Sequence, residues 1–189
     1  MKKMLFSLLI ALMSVTAFSQ EHLTFNGVPI NGTLEEFVQK LESKGFKLVE
    51  YMGSNAVMKG DFAGNSATLF ILGSKKTKTV WKVAAQFADK DSWSDLKSQY
   101  NSYKDMYTQK YGKPSDHFEF FSKPYYEGDG YELQALRKGK CNYISFYNIA
   151  NGTICVELSK SECLQLGYED KINTGIAREE KNTTVMEDI

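Results

Sequence analysis

Residues 46 to 87 hold four strand-like runs separated by nothing longer than a turn, and this constrains the fold more than any other feature of the chain. The runs are Phe46 to Met52, Ala56 to Phe62, Ser66 to Leu72 and Thr79 to Phe87. Gly53-Ser54-Asn55, Ala63-Gly64-Asn65 and the stretch from Gly73 to Lys78 punctuate them. Links this short join antiparallel neighbours, since a parallel crossover needs a dozen residues or more. In the fourth run Trp81, Val83, Ala85 and Phe87 alternate with Lys82 and Gln86. A period of two predicts a strand with one buried face.

A helix precedes this block. Thr33-Leu34-Glu35-Glu36 is a capping box, in which the threonine hydroxyl and the second glutamate satisfy orphan amides reciprocally. Leu34, Phe37, Val38 and Leu41 then form one apolar stripe, and Gly45 suits the turn that ends it. Residues 22 to 26 read as a short strand and Gly27 to Gly32 as a turn. A second helix is predicted from about Ser92 to Tyr111, stopped by Gly112 and Pro114. Trp93, Leu96, Tyr100, Tyr103 and Tyr107 recur along it at helical spacing. Such a stripe packs against a sheet more readily than it stacks bases or sugars.

Four further runs read as strands: His117 to Ser122, Tyr131 to Lys138, Cys141 to Ile149 and Thr153 to Ser159. The stretch from Cys163 to Ile172 is ambiguous, and residues 173–189 are polar without periodicity, which predicts a flexible tail. Helix then four strands, twice, gives an α+β class: an antiparallel sheet of about eight strands with two helices on one face. The single domain spans residues 20–172, with halves at 33–88 and 92–159 and a faint echo between Gly64–Phe70 and Gly139–Phe146.

The first residues predict export. Lys2-Lys3 precedes an apolar run from Met4 to Met13, too short to span a bilayer, and Ala17 and Ser19 fit a cleavage site before Gln20. Residues 1–19 are therefore expected to be a signal peptide and the remainder periplasmic or secreted, with no membrane span after its removal. Lys2 and Lys3 are the only charges before Glu21, so removal turns 23 basic and 23 acidic residues into 21 and 23. A near-neutral domain gives no electrostatic case for nucleic acid.

The hairpin at Ala150-Asn151-Gly152 reads as a three-residue loop with Gly152 left-handed. That register sets Phe146 opposite Val156 and Ile144 opposite Leu158 on a buried face. Cys141, Tyr143, Tyr147, Cys155 and Glu157 then share the other face. Cys163 would lie diagonal to Cys141, which permits a Cys141–Cys163 disulfide and leaves Cys155 as a small buried residue rather than a reactive thiol.

Catalytic chemistry finds little support. Cys155, His117 and Asp116 are the residues from which a cysteine-based site could be built, but adjacent Asp116 and His117 point to opposite sides of a strand. The other histidine, His22, stands near the new terminus, and no zinc spacing is present. No nucleophile elbow, phosphate loop or dinucleotide fingerprint occurs, and no cofactor is indicated. Glu119, Glu127, Asp129, Glu132 and Glu157 remain as carboxylates from which a hydrolase pair could be drawn.

The loop Lys123-Pro124-Tyr125-Tyr126-Glu127-Gly128-Asp129-Gly130-Tyr131 carries three tyrosines between glycines and a proline. Tyrosine offers large contact area at low entropic cost. The loop either presents Tyr125, Tyr126 and Tyr131 or folds them onto the sheet edge.

The order of elements resembles the tandem α/β architecture of the β-lactamase inhibitor proteins. The stretch Phe25-Asn26-Gly27-Val28-Pro29-Ile30-Asn31-Gly32-Thr33, leading to Lys44-Gly45-Phe46, is similar to small uncharacterised exported proteins of Bacteroides-type bacteria. The first resemblance implies a protein partner, and nothing functional carries over from the second. The expected function is a non-enzymatic binding module for a protein or glycan in the cell envelope or outside it. It would use the open sheet face (Lys82, Gln86, Tyr143, Tyr147) and the tyrosine loop. The alternatives are a small-ligand carrier with a pocket under the long helix, and a carboxylate-based hydrolase.

Overall fold

The structure, a computed structural model, describes residues 21–187. The expected signal peptide lies outside the described residues. In chain order the elements are β1 (Thr24–Phe25), β2 (Val28–Pro29), α1 (Leu34–Glu42), β3 (Lys47–Met52), β4 (Asn55–Phe62), β5 (Asn65–Gly73) and β6 (Val80–Phe87). They continue with α2 (Trp93–Tyr111), β7 (Asp116–Phe121), α3 (Glu132–Arg137), β8 (Cys141–Ile149), β9 (Gly152–Ser159), β10 (Cys163–Asp170) and α4 (Lys171–Glu187). β1 and β2 form a small hairpin; the other eight strands form one antiparallel sheet in the order β3-β4-β5-β6-β10-β9-β8-β7.

The α+β class and the tandem arrangement follow the sequence pattern. Each half is a helix followed by a four-stranded meander, and the two meanders meet where β6 pairs with β10. The echo between Gly64–Phe70 and Gly139–Phe146 falls on β5 and β8, which hold non-equivalent places in their meanders.

The helices start as their caps dictate. Thr33 and Glu36 close both bonds of the capping box on α1, and the Ser92 hydroxyl accepts the Asp95 amide at 3.0 Å on α2. α1 buries Leu34, Phe37, Val38 and Leu41, and α2 buries Leu96, Tyr100 and Tyr103. Both pack on the face of the sheet that carries Met58, Leu69, Val83, Ala85, Leu166 and Val156, in one continuous core closed at one end by Phe25 and Ile30. The tyrosine stripe is thus core packing, and its hydroxyls find partners: Tyr100 with Ser145 Oγ at 2.8 Å, and Tyr103 accepting from Asn65 Nδ2 at 2.9 Å.

Three segments differ from the sequence reading. Tyr131 to Lys138 is not a strand but contains α3; it is built of strong helix formers, and Glu132, Ala135 and Leu136 bury one helical face. The eighth strand is instead β10, from the ambiguous Cys163 stretch, so the second half runs to Asp170 rather than 159. The segment read as a flexible tail is helix α4. It has little apolar stripe because polar bonds dock it. The Glu180 carboxylate accepts from the Lys76 amide at 2.7 Å, Thr77 Oγ1 at 2.6 Å and Ser74 Oγ at 3.0 Å.

The register of the β8–β9 hairpin also differs, by one residue. Ile149 pairs with Gly152, closing a two-residue turn over Ala150-Asn151. Gly152 is required for close approach, not for a left-handed turn: a Cβ there would lie 2.2 Å from the Glu169 carbonyl oxygen on β10. The slip turns every β8 side chain over. Tyr143 and Tyr147 face the core under α2, while Ile144 and Phe146 move to the other face. Cys141 and Cys163 then sit two strands apart on opposite faces, and all three cysteines are free and buried. The expected disulfide is therefore absent.

Asp170 ties the chain ends together. It is fully buried, and its carboxylate accepts the Leu23 amide at 2.8 Å and the Asn173 amide at 2.9 Å, with His22 Nδ1 at 3.2 Å. Asn173 Nδ2 in turn donates to the carbonyls of Ile30 and Val80 at 2.9 and 2.7 Å. Asp170→Ala should cost about 3 kcal/mol, because buried amides lose a charged acceptor. Urea unfolding of the variant measures this; a change within the error of a surface substitution would contradict the assigned network.

Candidate binding surface

α1 and α2 cover one face of the sheet, and alternation sends every second side chain to the other. Across that second face the register aligns Val57, Phe70, Ala84, Gly167, Cys155, Phe146 and Asp116 in one row from β4 to β7. Ala84, Gly167 and Cys155 give the row a low floor at the β6–β10–β9 junction. A Cβ at Gly167 would stand 2.5 Å from Cys155 Sγ, so a larger residue there requires that side chain to shift.

Polar groups flank the floor. On one side Gln86 Nε2 donates to Gln165 Oε1 at 2.6 Å, and Gln165 Nε2 donates to Glu157 Oε1, a ladder over β6, β10 and β9. On the other, Lys82 Nζ lies 3.5 Å from Glu169. Toward the β7 edge the surface turns apolar: Phe118 (45% exposed) and Phe120 (47%) stand beside Ile144 and Phe146. One end of the face is walled by α4, whose Lys171, Thr174 and Arg178 line a cleft of about 400 Å³ with Thr153 and Glu169. Among the described residues, no helix is long and apolar enough to cross a membrane.

Of the residues expected on this face, Lys82 and Gln86 are present. Tyr143 and Tyr147 are not: both are buried, Tyr143 donating to Glu127 Oε2 at 3.3 Å and Tyr147 to the Lys104 carbonyl at 2.9 Å. Phe118, Phe120, Gln165 and Glu169 were not anticipated. The alternation of phenyl groups in Asp116 to Phe121 carried the signal, although alternation does not by itself say which face is buried. β7 is the outermost strand, so its helix-side positions lie at the margin of α2, where Glu119 pairs with Lys104 at 2.6 Å.

The tyrosine loop divides between its two readings. Tyr125 folds back, partly buried against the core, with Lys138 Nζ 5.9 Å from its ring. Tyr126 (66% exposed) and Tyr131 (61%) are presented to solvent. The loop is held by its own acids. Asp129 accepts the amides of Tyr126 and Tyr131 at 3.0 and 2.7 Å, and Glu132 Oε1 accepts that of Gly128 at 2.8 Å. Gly128 and Gly130 adopt φ of 87° and 77°. Glu127 pairs with Lys97 on α2, which holds its carboxyl below the usual range.

The geometry bears on catalysis as well. Burial pushes the Cys155 thiol up to about 12, so it stays protonated at neutral pH. His117 pairs with Ser145 on the helix side of the sheet, whereas Cys155 lies on the other side, so the two do not form a nucleophile and base. Glu119, Glu127, Asp129, Glu132 and Glu157 each hold a bond to a lysine, a backbone amide or an amide side chain. Among the described residues, no three His, Cys, Asp or Glu side chains group as a metal site.

Burial raises the Glu157 carboxyl above its ordinary value, only partly offset by Gln165 and Lys82. A group raised in the folded state binds more protons folded than unfolded, so its contribution falls as pH rises through the carboxylate range. Glu157→Gln keeps the acceptor for Gln165 and removes the half-buried charge. The variant should match the wild type at acid pH and exceed its stability at neutral pH. Urea midpoints from about pH 4 to pH 8 check this, the range spanning an ordinary carboxylate titration; a variant less stable at neutral pH would contradict it.

Comparison with protein-family models, with curated proteins and with solved structures gives no match in any of the three.

Proposed function

We propose that this chain is an exported, non-enzymatic binding module that meets a protein or glycan in the cell envelope or outside it. The second face of its sheet and the loop carrying Tyr126 and Tyr131 are the contact surfaces. The observation that carries this reading is the apolar group of Phe118, Phe120, Ile144 and Phe146 on a face where neither α1 nor α2 packs. Two exposed phenyl rings beside two half-buried apolar side chains are unfavourable in water unless a partner covers them. The adjoining Gln86–Gln165–Glu157 ladder is prearranged, so little side-chain entropy is lost when it contacts a partner. The leader pattern at residues 1–19 supports export.

A small-ligand carrier is the second reading, favoured by one feature. Tyr107, Tyr111, Tyr168 and Phe62 line a cleft of about 400 Å³ between α2 and the β1–β2 hairpin. That size lies within the range of small-molecule sites, about 300–1,000 Å³.

Capture from envelope and secreted fractions of the native host tests the first reading, with residues 20–189 as bait beside a Phe118→Ser/Phe120→Ser variant. Both rings are exposed, so the variant should keep the wild-type fold. A component retained by the wild type and lost by the variant is the expected result. Equal retention by both, or a small molecule released from the purified protein in native mass spectrometry, would overturn the sheet-face reading.

A further inference from the structure

The tyrosine loop meets the start of α2 in a cleft of about 510 Å³. Its lining pairs aromatic surface with mixed hydrogen-bonding groups. Trp93 and Tyr131 supply rings; Asp91 and Glu132 supply carboxylates; Gln134 and Arg137 supply donors. We infer that this cleft is a saccharide subsite, in which a sugar ring lies against Tyr131 and Trp93 while its hydroxyls bond the surrounding acids and donors. This deepens the binding-module reading, on which it rests, by naming the ligand class at the loop.

Three observations carry it. The first is pre-organisation. Trp93 is packed edge-on against Phe121 at 5.4 Å and Tyr143 at 5.1 Å, which holds its ring in place beside the cleft. Tyr131 is 61% exposed, yet its backbone is fixed by the Asp129 carboxylate and preceded by Gly130 in a left-handed turn. An exposed ring on a fixed backbone has a small ordering cost on binding.

The second is a mostly buried charge. Glu132 is 9% exposed and lines the cleft, and its Oε1 holds the Gly128 amide. Its other oxygen has no hydrogen-bond partner among the described residues and can accept from a ligand hydroxyl. A ligand hydroxyl donating to it would make a charge-assisted hydrogen bond, stronger than one between neutral groups.

The third is the balance of donors and acceptors. Arg137 is already paired with Glu162, which fixes the guanidinium beside the cleft and leaves N–H groups for neutral oxygen acceptors. Sugar hydroxyls donate and accept at once, and the C–H faces of the ring suit aromatic walls. An anion would meet Asp91 and Glu132, and a purely apolar ligand would leave the polar lining unpaired.

The test uses intrinsic fluorescence of residues 20–189. The chain has two tryptophans, and Trp81 lies on β6 outside this cleft, so Trp81→Phe leaves Trp93 as the reporter. In that background the protein is titrated with linear tetrasaccharides of glucose, mannose and N-acetylglucosamine, and separately with tetramethylammonium. The expected result is a saturable shift of Trp93 emission with at least one tetrasaccharide. Tyr131→Ala should weaken it by about tenfold or more, as loss of an aromatic anchor does. Glu132→Gln should weaken it as well. Tyr51→Ala, at another exposed tyrosine on the distant β3 edge, should leave it unchanged. No saturation with any tetrasaccharide up to about 10 mM, where even weak binding would register, would overturn the inference. So would saturation by tetramethylammonium alone, or equal weakening by Tyr51→Ala. Failure here leaves the sheet-face capture result standing, because Phe118 and Phe120 lie outside this cleft.

Discussion

The pairing of β6 with β10 is the interaction on which the rest of the structure depends. Gln86 opposes Gln165, Ala85 opposes Leu166, Ala84 opposes Gly167, Val83 opposes Tyr168 and Lys82 opposes Glu169. These five pairs join two meanders that would otherwise each end in an open edge. Each pair also serves the face it lands on. Ala85–Leu166 and Val83–Tyr168 enter the shared core, while Gln86–Gln165 and Lys82–Glu169 flank the floor of the second face. The seam thus builds the core and the candidate binding surface with one set of residues. Small side chains are needed at its centre, and Gly167 can be replaced by nothing larger without displacing Cys155.

A chemical asymmetry between the two faces follows. The helix side takes tyrosines whose hydroxyls reach partners on α2 and the sheet, so their polar tips cost little in burial. The second face takes amides, a half-buried carboxylate and, at the β7 edge, bare phenyl rings. An uncovered phenyl pair at a sheet edge invites pairing with other chains. Its retention on a rigid sheet is the physical reason for reading that face as a contact surface. The loop at Tyr126 and Tyr131 extends the same logic by placing exposed rings on a backbone locked by its own carboxylates.

Much of this was legible in the sequence. The capping box at Thr33, the turn glycines between β3 and β6 and the helical spacing of α2 are local signals, and local signals placed the α+β fold and helices α1 and α2. What was not legible depended on partners distant in sequence. Gly152 looked like a left-handed turn residue, but β10 approaches it from behind, and that contact set the register of β8. The one-residue difference moved Tyr143 and Tyr147 inside, separated Cys141 from Cys163 and brought Ile144 and Phe146 out. α4 was missed because its docking rests on Glu180 and Asn173, whose bonds reach the β5–β6 loop and the start of β6, about a hundred residues away, and leave no periodicity to read. α3 spans only six residues, too few for a helical period to stand out from a strand-like run between two strands.

The central claim is that the two meanders fold as one unit through the β6–β10 seam. Hydrogen exchange of residues 20–189 under native conditions, followed peptide by peptide, tests it most directly. Amides of Val83 to Gln86 and Gln165 to Tyr168 should be the slowest in the protein. They should open with the same free energy as the central strands of both halves, as expected of a single cooperative unit. Release of β3 to β6 and of β7 to β10 at separate free energies, with fast exchange along the seam, would contradict it.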